Sequence, residues 1–114
     1  MSGITTHVLD TSLGRPAAGV PVTLERQTAG EAWVAVGHGK TDGDGRLRDL
    51  LAPGMSAEAG IYRLTFYTGA YFASRAIDGF YPSVQVMFEI RNAAEHHHVP
   101  LLLSPFGYST YRGS

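Results

Sequence analysis

The sequence predicts an all-β sandwich, and three observations carry the prediction. Fourteen glycines and six prolines interrupt the chain at short intervals, and the segments between them are mostly too short and too β-branched or aromatic for helices. Seven of these segments read as strands, with a shorter eighth, a number that suits two packed sheets. Val84, Val86, Phe88 and Ile90 alternate with Ser83, Gln85, Met87 and Glu89, so one face of that segment should be core.

Taken in order, residues 4–10 form the first strand, with Ile4, Thr6 and Val8 on one face and Thr5, His7 and Leu9 on the other. Residues 20–27 and 32–39 follow as strands, and a short one fits around residues 46–48, after a DGDG turn at 42–45. Residues 53–60 read as a loop between strands. The strand of residues 61–67 leads into the one helical candidate, where Ala70, Ala73, Ser74 and Ala76 are compact and Gly79 supplies a stop before Phe80, Tyr81 and Pro82. That helix is expected to run one or two turns. Residues 83–90, 96–103 and 108–112 complete the strands, and with no repeat, low-complexity tract or linker, residues 1–114 are expected to form one domain.

Composition removes several functional classes. With 44% hydrophobic residues, 17% charged residues and a formal net charge of -1, the chain resembles an ordinary globular domain rather than a disordered tail. A binder of the nucleic-acid backbone would show a basic patch, so nucleic acid is not an expected partner. No apolar run approaches the roughly 20 residues of a membrane span. The opening MSGITTHVLD also lacks the basic and apolar regions of a secretion signal, so a membrane partner is not expected and the cytoplasm is the expected address. Zero cysteines exclude disulfides, thiolate metal ligands and cysteine nucleophiles. A chain this small buries roughly two thirds of its unfolded surface, which leaves little mass for a deep private cleft and makes a cleft between subunits the expectation for any catalysis.

The residues capable of chemistry are few. DGDG superficially matches the start of a calcium loop, but Pro53 stands where the twelfth-position Glu belongs, so the turn reading is preferred and Arg46 is left projecting just beyond it. Among the consecutive histidines, alternation puts His96 and His98 on one face with Pro100 and Leu102, and His97 on the other with Val99, Leu101 and Leu103. His96 and His98 could chelate zinc as a pair, but a third ligand is missing, so no metal is expected and acid–base work or a structural role stays open for them. His7 has the same ambiguity. No GxSxG motif or cysteine offers a nucleophile, whereas water activated by histidine, with arginine steadying the oxyanion, needs only residue types that are present. Gly113 and Ser114 would ordinarily fray; if docked, a terminal carboxylate would add a fixed anion.

In order along the chain, THVLDTSLGRPA, TDGDGRL around Arg46, YRLTFYTGAYFA with FYPSV after it, and HVPLLLSPFGYSTYRGS resemble the transthyretin-related proteins, and among them the 5-hydroxyisourate hydrolases. The most specific element is the final Tyr111, Arg112, Gly113, Ser114, which resembles the tetrapeptide that separates the hydrolases from the hormone carriers. The resemblance implies a transthyretin-like sandwich of two four-stranded sheets with one short helix, a homotetramer built as a dimer of dimers, and an active site in the channel between dimers. It implies catalytic roles for His7, Arg46, His98 and Ser114, and substrate binding by His7, Arg46 and Tyr111. The implied reaction hydrolyses 5-hydroxyisourate to 2-oxo-4-hydroxy-4-carboxy-5-ureidoimidazoline in urate breakdown, with no cofactor. His97 and Phe106 stand where relatives commonly carry tyrosine. A non-enzymatic small-ligand carrier using the same channel is the alternative, although two histidines, an arginine and the YRGS end are more polar than an apolar hormone channel needs.

Overall fold

The computed structural model describes residues 3–51 and 54–114. Pro53, at the start of the expected 53–60 loop, lies outside them. Strands β1 (Gly3–Asp10), β2 (Arg15–Pro16), β3 (Pro21–Gln27), β4 (Trp33–Lys40), β5 (Arg46–Leu47) and β6 (Gly60–Phe66) precede helix α1 (Thr68–Ser74). Strands β7 (Val84–Ile90), β8 (His96–Ser104) and β9 (Gly107–Thr110) follow it. One sheet has the order β4-β3-β6-β7 and the other β2-β1-β8-β9, with β5 also paired to β1. Because β5 lies against Thr6 and His7 while β2 lies against Leu9 and Asp10, the two short segments share the space beside β1. The transthyretin-like sandwich therefore has four strand positions per sheet, one of them filled by two fragments.

Alternation decides what each strand buries. On β1, Ile4, Thr6, Val8 and Asp10 point inward, and on β8 His97, Val99, Leu101 and Leu103 do the same. They meet Val22, Leu24, Tyr62, Leu64, Phe66, Val84 and Ile90 of the opposite sheet. Each such aliphatic side chain, fully buried, stabilises the fold by roughly 1.5–3 kcal/mol relative to exposure. The register joining β1 to β8 is parallel and sets Thr5 opposite His98 and His7 opposite Pro100. Consequently the outward face of these two central strands gathers Thr5, His7, His96 and His98 from opposite ends of the chain.

The helix ends sooner than the sequence suggests. Ala76, not Gly79, provides the stop: it adopts a left-handed φ of 55°, its N–H reaches the Ala73 carbonyl, and Ile77 N–H reaches that of Phe72. These two bonds form a Schellman closure, which glycine usually supplies. Gly79 serves packing instead, since a Cβ there would fall 2.9 Å from the Phe72 ring. Tyr71 fastens the helix to β1 by donating its hydroxyl to the buried Asp10 carboxylate at 2.8 Å. Burial alone would raise the Asp10 carboxyl, but hydrogen bonds from Ser12, Tyr71 and Leu13 outweigh it and hold the group below its ordinary range. Burial, followed by the same bond and the Asp10 charge, pushes the Tyr71 hydroxyl up to about 12.

Candidate active site

Arg46 is placed by a turn that has little freedom. The Asp42 carboxylate accepts backbone N–H groups from Asp44 at 2.8 Å and Arg46 at 3.0 Å. The Arg46 bond is the largest influence holding the Asp42 carboxyl below its ordinary range. Gly45 has φ +73°, and a Cβ on it would sit 2.4 Å from the Val8 carbonyl oxygen, so only glycine allows β5 to come this close to β1. DGDG is thus a positioning turn, and Asp42 and Gly45 belong to the machinery that aims Arg46.

A hollow of about 490 Å³ opens on the outer face of the β1–β8 sheet, with Thr5, Arg46, Arg48, His96, His98 and Ser114 on its walls. Arg46, His98 and Ser114, singled out from the sequence, meet here. His7 stands beside them on β1, directly opposite Arg46 in strand register. Its Nε2–H donates to the Asp44 carbonyl at 2.9 Å, which ties the ring to the same turn. Burial first, and then the charges of Arg46, His7 and His96, lower the pKa of His98 below the ordinary imidazole value. A neutral ring able to take a proton is the result.

The chain end is docked rather than frayed. Gly113 N–H donates to the His98 carbonyl at 2.9 Å, and its Cα lies so close to the His98 ring that a Cβ would meet Cδ2 at 2.5 Å. Between Thr110 and Gly113 the ladder to β8 is interrupted. The register of Leu101 with Thr110 and His98 with Gly113 sets Pro100 opposite Tyr111. Proline has no N–H to give, and the Pro100 carbonyl is taken at 2.7 Å by the Thr110 hydroxyl. Tyr111 is therefore not on the wall of the Arg46 hollow within one chain. It lines a second hollow of about 220 Å³ with Met87, Phe88, His97 and Arg112; its substrate role is expected in a channel between dimers, which one protomer does not contain.

Sequence reading missed Thr5, whose hydroxyl lies 2.8 Å from His98 Nδ1 and 2.9 Å from His96 Nε2. The two imidazoles are bridged by a side chain from another strand, and only the parallel register reveals it. Among the described residues, no cluster of three or more His, Asp or Glu side chains has the arrangement to hold a metal ion. His97 points away from all of this and is buried on the inner face, with no partner for its Nδ1 among the described residues.

The profile of the HIUase/Transthyretin family matches residues 4–113. The chain belongs to that family. Among the members most like it is the 5-hydroxyisourate hydrolase of Salmonella dublin, 49% identical over 97% of this chain and 80% of the relative. The solved 5-hydroxyisourate hydrolase of Klebsiella pneumoniae superposes with a TM-score of 0.85 at 39% identity, covering 100% of both chains. The family's other branch is close in shape: sea bream transthyretin, solved in complex with thyroxine, gives a TM-score of 0.90 at 30% identity over 97% of this chain and 94% of that one. Backbone shape is shared across the HIUase/Transthyretin family, so function has to be argued from the side chains in the hollow.

Proposed function

We infer that this chain hydrolyses 5-hydroxyisourate, opening its ring to 2-oxo-4-hydroxy-4-carboxy-5-ureidoimidazoline. The observation that carries the reading is His98, an imidazole kept neutral by burial and then by the always-charged Arg46 guanidinium beside it, in a chain 49% identical to a protein named for this activity. His98 takes a proton from water as its oxygen attacks the carbonyl carbon. Arg46 faces the negative charge that develops on the carbonyl oxygen, and its rigid fork suits a planar, oxygen-rich substrate. The C–N bond then breaks with return of a proton to the departing nitrogen. His7, tied through Nε2 to the turn, orients water or substrate from the flank, and Ser114 contributes to the wall of the same hollow as Arg46.

The active form is a homotetramer in which two copies close each hollow. Both sheets end on the same side of the sandwich in strands with an unpaired edge, β7 and β9, and that side exposes Met87, Phe106 and Tyr108. Unpaired edges of this kind invite pairing with a second chain. Such pairing makes a dimer and would bring Tyr111 to its interface; contact between the outer β1–β8 faces of two dimers would then close the hollows.

One sample tests both statements. With 5-hydroxyisourate generated in place by a urate oxidase, its ultraviolet absorbance should decay faster with the protein than in the spontaneous reaction, and the excess rate should saturate with substrate. Light scattering on that sample should give four times the protomer mass. Ligand binding without acceleration would leave the carrier reading, toward which thyroxine-bound transthyretin points, and an active monomer would remove the shared site.

A further inference from the structure

We propose that Thr5 and His96 fix the tautomer of His98, so that Thr5 is a positioning residue of the reaction. The inference rests on the hydrolase reading for its kinetic arm only. A hydroxyl has one proton to donate, and Thr5 Oγ1 stands between two imidazole nitrogens, at 2.8 Å from His98 Nδ1 and 2.9 Å from His96 Nε2. Where it donates to one ring, it accepts from the other. His96 is the exposed partner and His98 the half-buried one.

The arrangement useful to catalysis runs in one direction: His98 Nδ1–H donates to Thr5, and the Thr5 hydroxyl donates to the lone pair of His96 Nε2. His98 then keeps Nε2 bare, the atom across the ring from the Thr5 contact, and free to take the proton of attacking water. The reverse direction would put the ring proton on Nε2 and leave it unable to act as a base. Gly113 lies against the Cδ2 side of the ring, where a Cβ would meet Cδ2 at 2.5 Å, and its N–H binds the His98 carbonyl, so the strand carrying the ring is fixed to the chain end. No other hydrogen-bond partner meets His98 Nδ1 among the described residues. The charges that act on this ring come from Arg46 on β5, His7 on β1 and His96 on its own strand, and Arg48, Asp49 and Ser114 also stand on the hollow wall, but among the described residues Thr5 alone is bonded to Nδ1.

The direct test is ¹⁵N NMR of the histidine rings in the unliganded protein, in neutral solution. The expected spectrum shows His98 with Nδ1 protonated and Nε2 unprotonated; Thr5→Val should turn this into a mixture of tautomers, and Thr5→Ser should restore it. In turnover, Thr5→Val should lower kcat about 10-fold with KM changed less than about 2-fold, and Thr5→Ser should recover most of the loss. A proton on His98 Nε2 in the unaltered protein would overturn the proposal even if the protein is an active hydrolase. The expected tautomer in a protein without hydrolase activity would uphold it while sinking the functional reading. If Thr5→Val fails to fold, the wild-type spectrum and His96→Phe, which removes the acceptor at the exposed end, decide the matter. A tautomer unchanged in His96→Phe would remove His96 from the device.

Discussion

On the inner face of β1, Asp10 is sealed from water and satisfied by donors from Ser12, Leu13 and Tyr71, whereas on the outer face Thr5 holds two imidazoles beside an open hollow. Both networks are polar, both start from the same strand, and both draw a partner from a remote segment. They differ in what the surroundings do to charge. Inside, several hydrogen bonds converge on a carboxylate and overcome its burial, which stabilises the ion and removes its reactivity. Outside, partial burial and the Arg46 charge act on an imidazole that has a single side-chain hydrogen bond, so a second proton gained by the ring is held loosely. Parity along one strand separates a latch from a reactive group.

The largest expected effect breaks the outer network. His98→Asn should lower kcat by about 100-fold or more, the ordinary scale for a positioned base, while His97→Asn, whose side chain faces the other sheet, should leave turnover per folded molecule nearly unchanged. Equal activity in the two variants would end the distinction between faces. The next breaks the inner network. Asp10→Asn should cost about 2 kcal/mol in denaturant unfolding, because the lost hydrogen bonds are charge-assisted, while kcat per folded molecule stays the same.

The pH dependence of that stability has a sign fixed by the two shifts. A lowered carboxyl pKa contributes stability that is present above 3.8 and lost as the pH falls through the folded value. A raised phenol contributes stability that is present below 10.0 and lost as the pH climbs through about 12. Unfolding curves of Asp10→Asn that retain the acid-side loss in full would assign it to other carboxylates. The smallest effect sharpens the comparison rather than breaking it. Gly113→Ala must push the His98 ring or the chain end aside, so kcat should fall about 10-fold with stability little altered, a split read by pairing turnover with thermal unfolding. Unchanged turnover would show that the ring has room to yield.

Alternation along β1, β7 and β8 was legible because burial on a pleated strand follows the sequence two residues at a time. It separated His98 from His97 and His7 from Val8 without any tertiary information. The DGDG turn was legible as a turn, but its grip on Arg46 depends on the Asp42 carboxylate and on the approach of Val8, which no spacing reveals. Thr5 looked like an unremarkable strand residue, since its meeting with His96 and His98 follows from a parallel register between segments more than 90 residues apart. The helix stop was misplaced because left-handed backbone favours glycine, and here an alanine adopts it. Tyr111 was grouped with Arg46 through the resemblance alone; within one protomer it stands beside Met87 and His97.

The parallel union of β1 with β8 also bears on how the molecule comes to exist. A hairpin closes within a few residues, but these two strands can pair only after almost the whole chain has been brought back on itself, an event delayed by loop-closure entropy. Until then the edge of β1 that meets β8 is open and Thr5, His7 and His98 share no common surface. Partly folded chains therefore have no rudimentary site to work with, and recovery of activity on refolding should trail the appearance of strand signal, arriving with the final long-range closure.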